Sequence, residues 1–219
     1  MPAGSVTVDA DFTRINNVSP PVDEPDEPEE PQETELPFAD VDEGDWFYDA
    51  VYYAYPNGLM DGTSDTTFEP NSSMTRAMLV TILWRMEGEP VVNYLMPFAD
   101  VDSGAWYAEA VRWASSEGIV EGVSDTSFAP NAEITREQLA AMLWRYAVYK
   151  GYDVSIGEDT NILSYADFAD LSEYTIPAMQ WACGAGVITG VTDATLVPQG
   201  EATRAQVAAM LMRFCEAIG

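Results

Sequence analysis

The chain has 219 residues, a length for one or two domains, and carries nine Lys and Arg against 37 Asp and Glu, with no His and a formal net charge of −28. That leaves too few cations to neutralise a phosphate backbone or to dock on an anionic membrane. The lack of His also rules out a Ser-His-Asp triad and any His-ligated zinc site. Yet 47% of the residues are hydrophobic and 11% aromatic, too apolar a composition for disorder throughout.

Met1 to Ala10 has neither a basic n-region nor an apolar h-region, and no run of 18 apolar residues follows anywhere. No signal peptide or membrane span is therefore read, and the expectation is a cytosolic chain or a piece of a longer secreted one. Residues 1–19 alternate weakly around Val6 and Val8, as an N-terminal tail or the end of a preceding domain would. Residues 20–37, PPVDEPDEPEEPQETELP, contain six Pro and eight acids. Fixed proline dihedrals and like-charge repulsion predict a disordered, extended linker here. It explains only part of the charge, because residues 38–219 still hold eight basic and 27 acidic residues, a net −19.

From residue 38 the chain repeats itself. Residues 38–85 and 98–145 align without gaps at an offset of 60, with 24 of 48 positions identical, and residues 181–213 match 113–145 at 16 of 33. The copies are assigned to residues 38–97, 98–160 and 161–219. Each reads helix, loop, helix. In the second copy a first helix is predicted from an N-cap at Ser103, carrying Ala110, Val111 and Ala114 and stopping at Gly118. The loop from Gly122 to Glu133 is rich in turn-formers around one apolar anchor, Phe128. A second helix opens at Thr135, with Leu139, Met142, Leu143 and Tyr146 as its apolar stripe. Thr135 with Gln138 and Thr203 with Gln206 spell capping boxes, and Met78 breaks the pattern in the first copy. One helix pair of this size cannot bury its own apolar faces. The fold class predicted is all-α: three helix-loop-helix repeats packed as a pseudo-threefold bundle, with a short linear stack as the alternative.

Within the third copy, Cys183 and Cys215 lie 32 residues apart and fit no metal or redox spacing. They read as small buried helix residues, with a disulfide as the alternative. Asp40-x-Asp42 and Asp100-x-Asp102 lack the Gly and Glu of a calcium loop, so no metal is assigned, and no cofactor. No carboxylate pair stands apart from the repeat, so the chain is read as not an enzyme.

The recurring residues are Phe38, Asp40, Trp46, Gly58, Gly62, Asp65, Phe68, Pro70, Thr75 and Arg76. The second copy has Phe98, Asp100, Trp106, Gly118, Gly122, Asp125, Phe128, Pro130, Thr135 and Arg136. The third has Tyr165, Asp167, Tyr174, Gly186, Gly190, Asp193, Leu196, Pro198, Thr203 and Arg204. This tripled pattern resembles the S-layer homology family across residues 38–215. Departures concentrate in copy three, where Tyr165, Tyr174 and Leu196 replace the aromatics of the other copies, and they fall on the pocket assigned to that copy. The resemblance implies a bacterial cell-surface anchor, extracellular and part of a secreted protein. Such a module would hold an N-terminally fused cargo region non-covalently to a peptidoglycan-linked secondary polysaccharide, often one carrying pyruvylated N-acetylmannosamine. It would do so in grooves between copies, without nucleic acid or membrane insertion, as a monomeric pseudo-trimer. The residues it implies at the ligand are Arg76, Arg136 and Arg204, Asp40, Asp100 and Asp167, Trp46, Trp106 and Tyr174, and Gly62, Gly122 and Gly190. The alternative is a protein–protein or self-assembly module that binds no glycan.

The residues make chemical sense of an acidic module meeting an acidic glycan. Three of its few cations, the motif Arg residues, fall at helix starts, where a guanidinium fork, unpaired backbone N–H groups and the positive end of the helix dipole suit a carboxylate. The competing reading has these Arg residues holding the copies together. Arg85, Arg145 and Arg213 read as structural, complementing the C-terminal ends of their helices. Trp84, Trp113 and Trp144 read as core. Trp46 and Trp106, which follow Gly-containing turns, are either core or partly exposed.

Overall fold

The structure, a computed structural model, describes residues 35–218, so the tail and nearly all of the Pro-rich linker lie outside the described residues. Each copy contributes a short and a long helix. The short ones are α1 (Tyr48–Ala54), α3 (Ala108–Ser116) and α6 (Ile176–Gly184); the long ones are α2 (Arg76–Met86), α4 (Arg136–Lys150) and α7 (Arg204–Ile218). A further turn of helix, α5 (Ile156–Asp159), and two 3₁₀ turns, Phe168–Asp170 and Glu173–Thr175, precede α6. Among the described residues there is no β-strand, only isolated bridges. No described helix is long and apolar enough to cross a membrane.

The short helices start later than their sequence suggests. Ser103 is not an N-cap: the chain runs through turns, with Gly104 N–H on Asp102 Oδ1 at 2.8 Å and Ala105 N–H on the Asp102 carbonyl at 3.0 Å, before α3 opens at Ala108. Stop signals act as read. Gly58, Gly118 and Gly186 take φ of +67°, +71° and +72° just beyond α1, α3 and α6, where a side chain would be strained. The long helices are capped by Thr75, Thr135 and Thr203, each hydroxyl accepting the N–H three residues on at 3.3 Å. The reciprocal half of the capping box forms only in copy three, where Gln206 Oε1 accepts the Thr203 N–H. In copy two, Gln138 Oε1 accepts from Arg76 Nη1 instead.

Neighbouring copies pack long helix to short helix: α2 on α3, α4 on α6, and α7 on α1. The hydrogen bonds that join them follow the same succession. Ile134 N–H donates to Met74 O at 2.8 Å, Ala202 N–H to Ile134 O at 2.9 Å, and Met74 N–H to Ala202 O at 3.0 Å. The third copy thus returns to the first, which an open linear stack would not do. Phe68, Phe128 and Leu196, the loop anchors, are fully buried with Val51, Val111, Trp113, Trp181 and Phe214 in one continuous core. Trp113 is core as expected, whereas Trp84 and Trp144 are half-buried at its margin. Cys183 and Cys215 are half-buried, free thiols on α6 and α7. Burial pushes the Cys183 thiol up to about 11, so it is not a ready nucleophile.

Candidate functional site

Each loop anchor is followed by a residue with positive φ: Glu69 at +56°, Ala129 at +56° and Val197 at +52°. The opening Asp of the same copy fixes this strained corner. Asp40 accepts the N–H groups of Phe68 and Glu69 at 2.8 and 2.7 Å; Asp100 those of Phe128 and Ala129, both at 2.8 Å; Asp167 those of Leu196 and Val197 at 2.9 and 2.7 Å. Both oxygens of each carboxylate are therefore engaged by backbone, and none of the three lines a cleft. The glycines two residues after the helix-and-turn unit are packed on the same loop. A Cβ at Gly122 would meet Ser124 O at 2.2 Å and Phe98 Cε1 at 2.6 Å, and Gly62 and Gly190 are similarly crowded.

The loop carbonyls so arranged receive the motif Arg of the preceding copy. Arg76 Nε donates to Phe128 O at 2.9 Å and its Nη2 to Glu121 O at 2.8 Å. Arg136 does the same with Leu196 O at 2.7 Å and Thr189 O at 2.8 Å, and Arg204 with Phe68 O at 2.6 Å and Asp61 O at 2.5 Å. Arg76 and Arg204 also lie over the Phe128 and Phe68 rings, at 4.7 and 4.5 Å. All three are under 10% exposed, and burial lowers their pKa from the usual arginine value, although arginine stays charged. Their helix-start N–H groups are not open to an anion. Arg76 N–H bonds Ala132 O and Ala77 N–H bonds Pro130 O, with matching pairs at α4 and α7. The motif Arg residues do hold the copies together, through backbone carbonyls and not through the repeat Asp residues.

Even so, each Arg forms the floor of a cleft between copies. The first cleft, of about 380 Å³, is lined by Arg76 of copy one, Glu121, Gly122 and Arg145 of copy two, and Tyr174 of copy three. The second, about 370 Å³, has Arg136 of copy two, Thr189, Gly190 and Arg213 of copy three, and Trp46 of copy one. The third, about 270 Å³, has Arg204 of copy three, Asp61, Gly62 and Arg85 of copy one, and Trp106 of copy two. All three copies meet in every cleft. Of the departures in copy three, Tyr174 alone lines a cleft, the one floored by Arg76, whereas Leu196 lends its carbonyl to Arg136 and Tyr165 packs by Gly190. The aromatics face solvent, Trp46 at 66%, Trp106 at 60% and Tyr174 at 55% exposure. An exposed indole or phenol beside buried guanidinium groups is an amphipathic surface suited to a sugar ring.

Arg85, Arg145 and Arg213 belong to the clefts as well, which the sequence reading missed. Their dipole role fails for two of them, because α4 and α7 run on past Arg145 and Arg213 to Lys150 and Ile218, beyond the reach of the last-turn field. The available signal was their strict repetition at the same offsets as the motif Arg. Among the described residues no cluster of three or more acids or cysteines is placed to hold a metal ion.

Comparison with known proteins agrees with this repeat architecture. The family model described as "S-layer homology domain" matches three times, at residues 37–77, 97–140 and 165–208. An endoglucanase of Bacillus sp. (strain KSM-635) is 34% identical over 80% of this chain but only 18% of its own length. An amylopullulanase of Thermoanaerobacterium thermosulfurigenes is 31% identical over 83% of this chain and 10% of its own. The surface-layer 125 kDa protein of Lysinibacillus sphaericus is 29% identical over 77% and 14%. The chain therefore spans less than a fifth of these relatives, and what proteins named for such different roles share with it is the repeat region. With three matches covering more than half of its residues, each containing one Asp–loop–Arg unit, the chain belongs to the S-layer homology domain family.

Proposed function

We propose that this module is a non-covalent cell-surface anchor that binds a peptidoglycan-linked secondary cell wall polysaccharide, one bearing pyruvylated sugars, in the clefts between its repeats. The observation that carries this reading is the composition of the clefts. Each brings together, from three different copies, a buried motif Arg, a second Arg, a side-chain-free loop Gly and a solvent-facing aromatic. The aromatic offers a face for a pyranose ring, and the guanidinium pair, where no acid of the lining already holds it, offers charge-assisted donors for a ketal carboxylate. Asp40, Asp100 and Asp167 serve the ligand at one remove, by fixing the loops that present Gly62, Gly122 and Gly190.

The repeats act as one monomeric, pseudo-threefold body, supported by hydrogen bonds that pass from copy to copy and back to the first. Residues 20–37 serve as the tether to an N-terminal cargo, and the module works outside the cell, on the wall. The presence of an S-layer protein among the relatives supports that location. Co-sedimentation of the purified chain with cell-wall sacculi, before and after chemical removal of the polysaccharide, tests the reading. Binding is expected to be lost on stripping. Binding that survives it points instead to a protein–protein or self-assembly module.

A further inference from the structure

Residue 61, 121 or 189 bridges the two Arg residues of each cleft, its backbone carbonyl accepting from the motif Arg and its side chain meeting the other. In the first cleft Glu121 Oε2 accepts from Arg145 Nη2 at 2.7 Å, and in the third Asp61 Oδ2 lies 3.4 Å from Arg85 Nη1. In the second the position is Thr189, whose hydroxyl lies 3.4 Å from Arg213 Nη1. The remaining lining of that cleft (Trp46, Gly190, Val191, Gln206, Ala209 and Met210) carries no acid. The second guanidinium, Arg213, therefore meets a hydroxyl and no carboxylate of the lining, in a module of net charge −19. Asp167, held by its own loop, is the acid that acts on Arg136. Arg136 is buried, and its low-dielectric setting strengthens attraction for an incoming anion.

Resting on the glycan reading above, we infer that the Arg136–Arg213 cleft is the one that takes a carboxylate-bearing sugar, and that residue 189 sets this preference. In the other two clefts Glu121 and Asp61 already occupy the carboxylate's place on the second Arg. These clefts accept an uncharged pyranose by comparison, because an anion there would have to displace or lie against a resident like charge. The three clefts are thus chemically distinct, although they are built from the same repeat.

The test uses the isotopically labelled full chain, titrated with a methyl 4,6-O-(1-carboxyethylidene) hexopyranoside and, separately, with its neutral methyl ester, followed by NMR. The acid is expected to shift the Trp46 indole and Thr189 signals at lower concentration than those of Trp106 or Tyr174, while the ester shows no such order. Thr189→Glu, which installs the residue that copy two tolerates, should weaken acid binding at Trp46 about tenfold and ester binding far less. Glu121→Thr should strengthen acid binding at Tyr174. Equal acid affinity at the three clefts, or a Thr189→Glu chain that binds the acid as before, overturns the assignment while sacculus binding still upholds the glycan reading. No shift at any cleft, together with sacculus binding that ignores the polysaccharide, overturns both.

Discussion

Glu137 grips Ser172 twice: its Oε2 accepts the Ser172 backbone N–H at 2.9 Å and its Oε1 the Ser172 hydroxyl at 2.7 Å. Thr175 Oγ1 adds a bond at 3.1 Å and Gln199 Nε2 another at 2.8 Å, so a carboxylate only 2% exposed is satisfied by four neutral donors. Ala77 and Ala205 hold the equivalent positions in the other copies. The acid is a clamp particular to copy two, fastened on the 3₁₀ turns that deliver Tyr174 to the first cleft. Replacing it by Ala orphans several buried donors, and Glu137→Ala should destabilise the module by about 2–4 kcal/mol. Glu137→Gln should cost less, because an amide oxygen still accepts. Denaturant midpoints of the two variants check the order.

The motif Arg residues bridge copies with a fixed fork that Lys lacks. Arg204→Lys should leave at least one of the Phe68 and Asp61 carbonyls without its donor, at a cost of about 1–3 kcal/mol. Arg85→Lys keeps its charge at a half-exposed site and should change stability by less than about 0.5 kcal/mol. Thermal melts of both variants separate the Arg that joins two copies from the half-exposed one.

Acid should loosen the loops. Burial pushes the Asp100 carboxyl up, but the N–H of Phe128, the Ser127 hydroxyl and the N–H of Ala129 outweigh it and hold the group below the usual Asp value. Asp167 is lowered in the same way by Leu196 and Val197. A carboxyl with a depressed folded pKa stabilises fully above its unfolded value, near 4, and that contribution is lost as pH falls through the folded one. Asp100→Asn should lower the melting temperature at pH 7 and flatten its dependence between about pH 4 and pH 2.

Val197 sits at φ +52° with a β-branched side chain that is partly exposed, a conformation that costs such a residue about 1–2 kcal/mol. Val197→Asn relieves the strain and gives up little packing. The variant should be more stable by about 0.5–1 kcal/mol, read from its denaturant midpoint.

Where copies two and three meet, like charges face one another. The Glu133 carboxyl is raised by its hydrogen bond to Glu201 and by that group's charge. A raised carboxyl favours the folded state below its unfolded pKa and loses that contribution as pH rises through the folded one. Glu201→Gln should therefore raise the melting temperature at pH 7, and the gain over the parent chain should disappear at about pH 3.5.

Much of this molecule is legible in its residues because the signals are local. The 60- and 68-residue offsets, the Thr caps, the glycine stops and the buried anchors Phe68, Phe128 and Leu196 all follow from propensity and pattern within a single copy. The late start of α3 was missed because the Asp102 turn competes with the helix for the same backbone N–H groups. Reading by copy also grouped Arg76 with Asp40 and Trp46, residues that the structure parts. Asp40 turns inward to its own loop, and Trp46 closes the cleft floored by Arg136.

The sequence alone determined that few cations stand among many acids, that they recur with the repeat, and that helix pairs present them. Only the tertiary structure decided which copy meets which, because neighbour relations between repeats rest on contacts some 50 to 140 residues apart, such as Arg76 with Phe128 and Arg204 with Phe68. Local propensity carries no information about such pairs. Packing places two guanidinium groups in every cleft and leaves one cleft, through Thr189, without its acid.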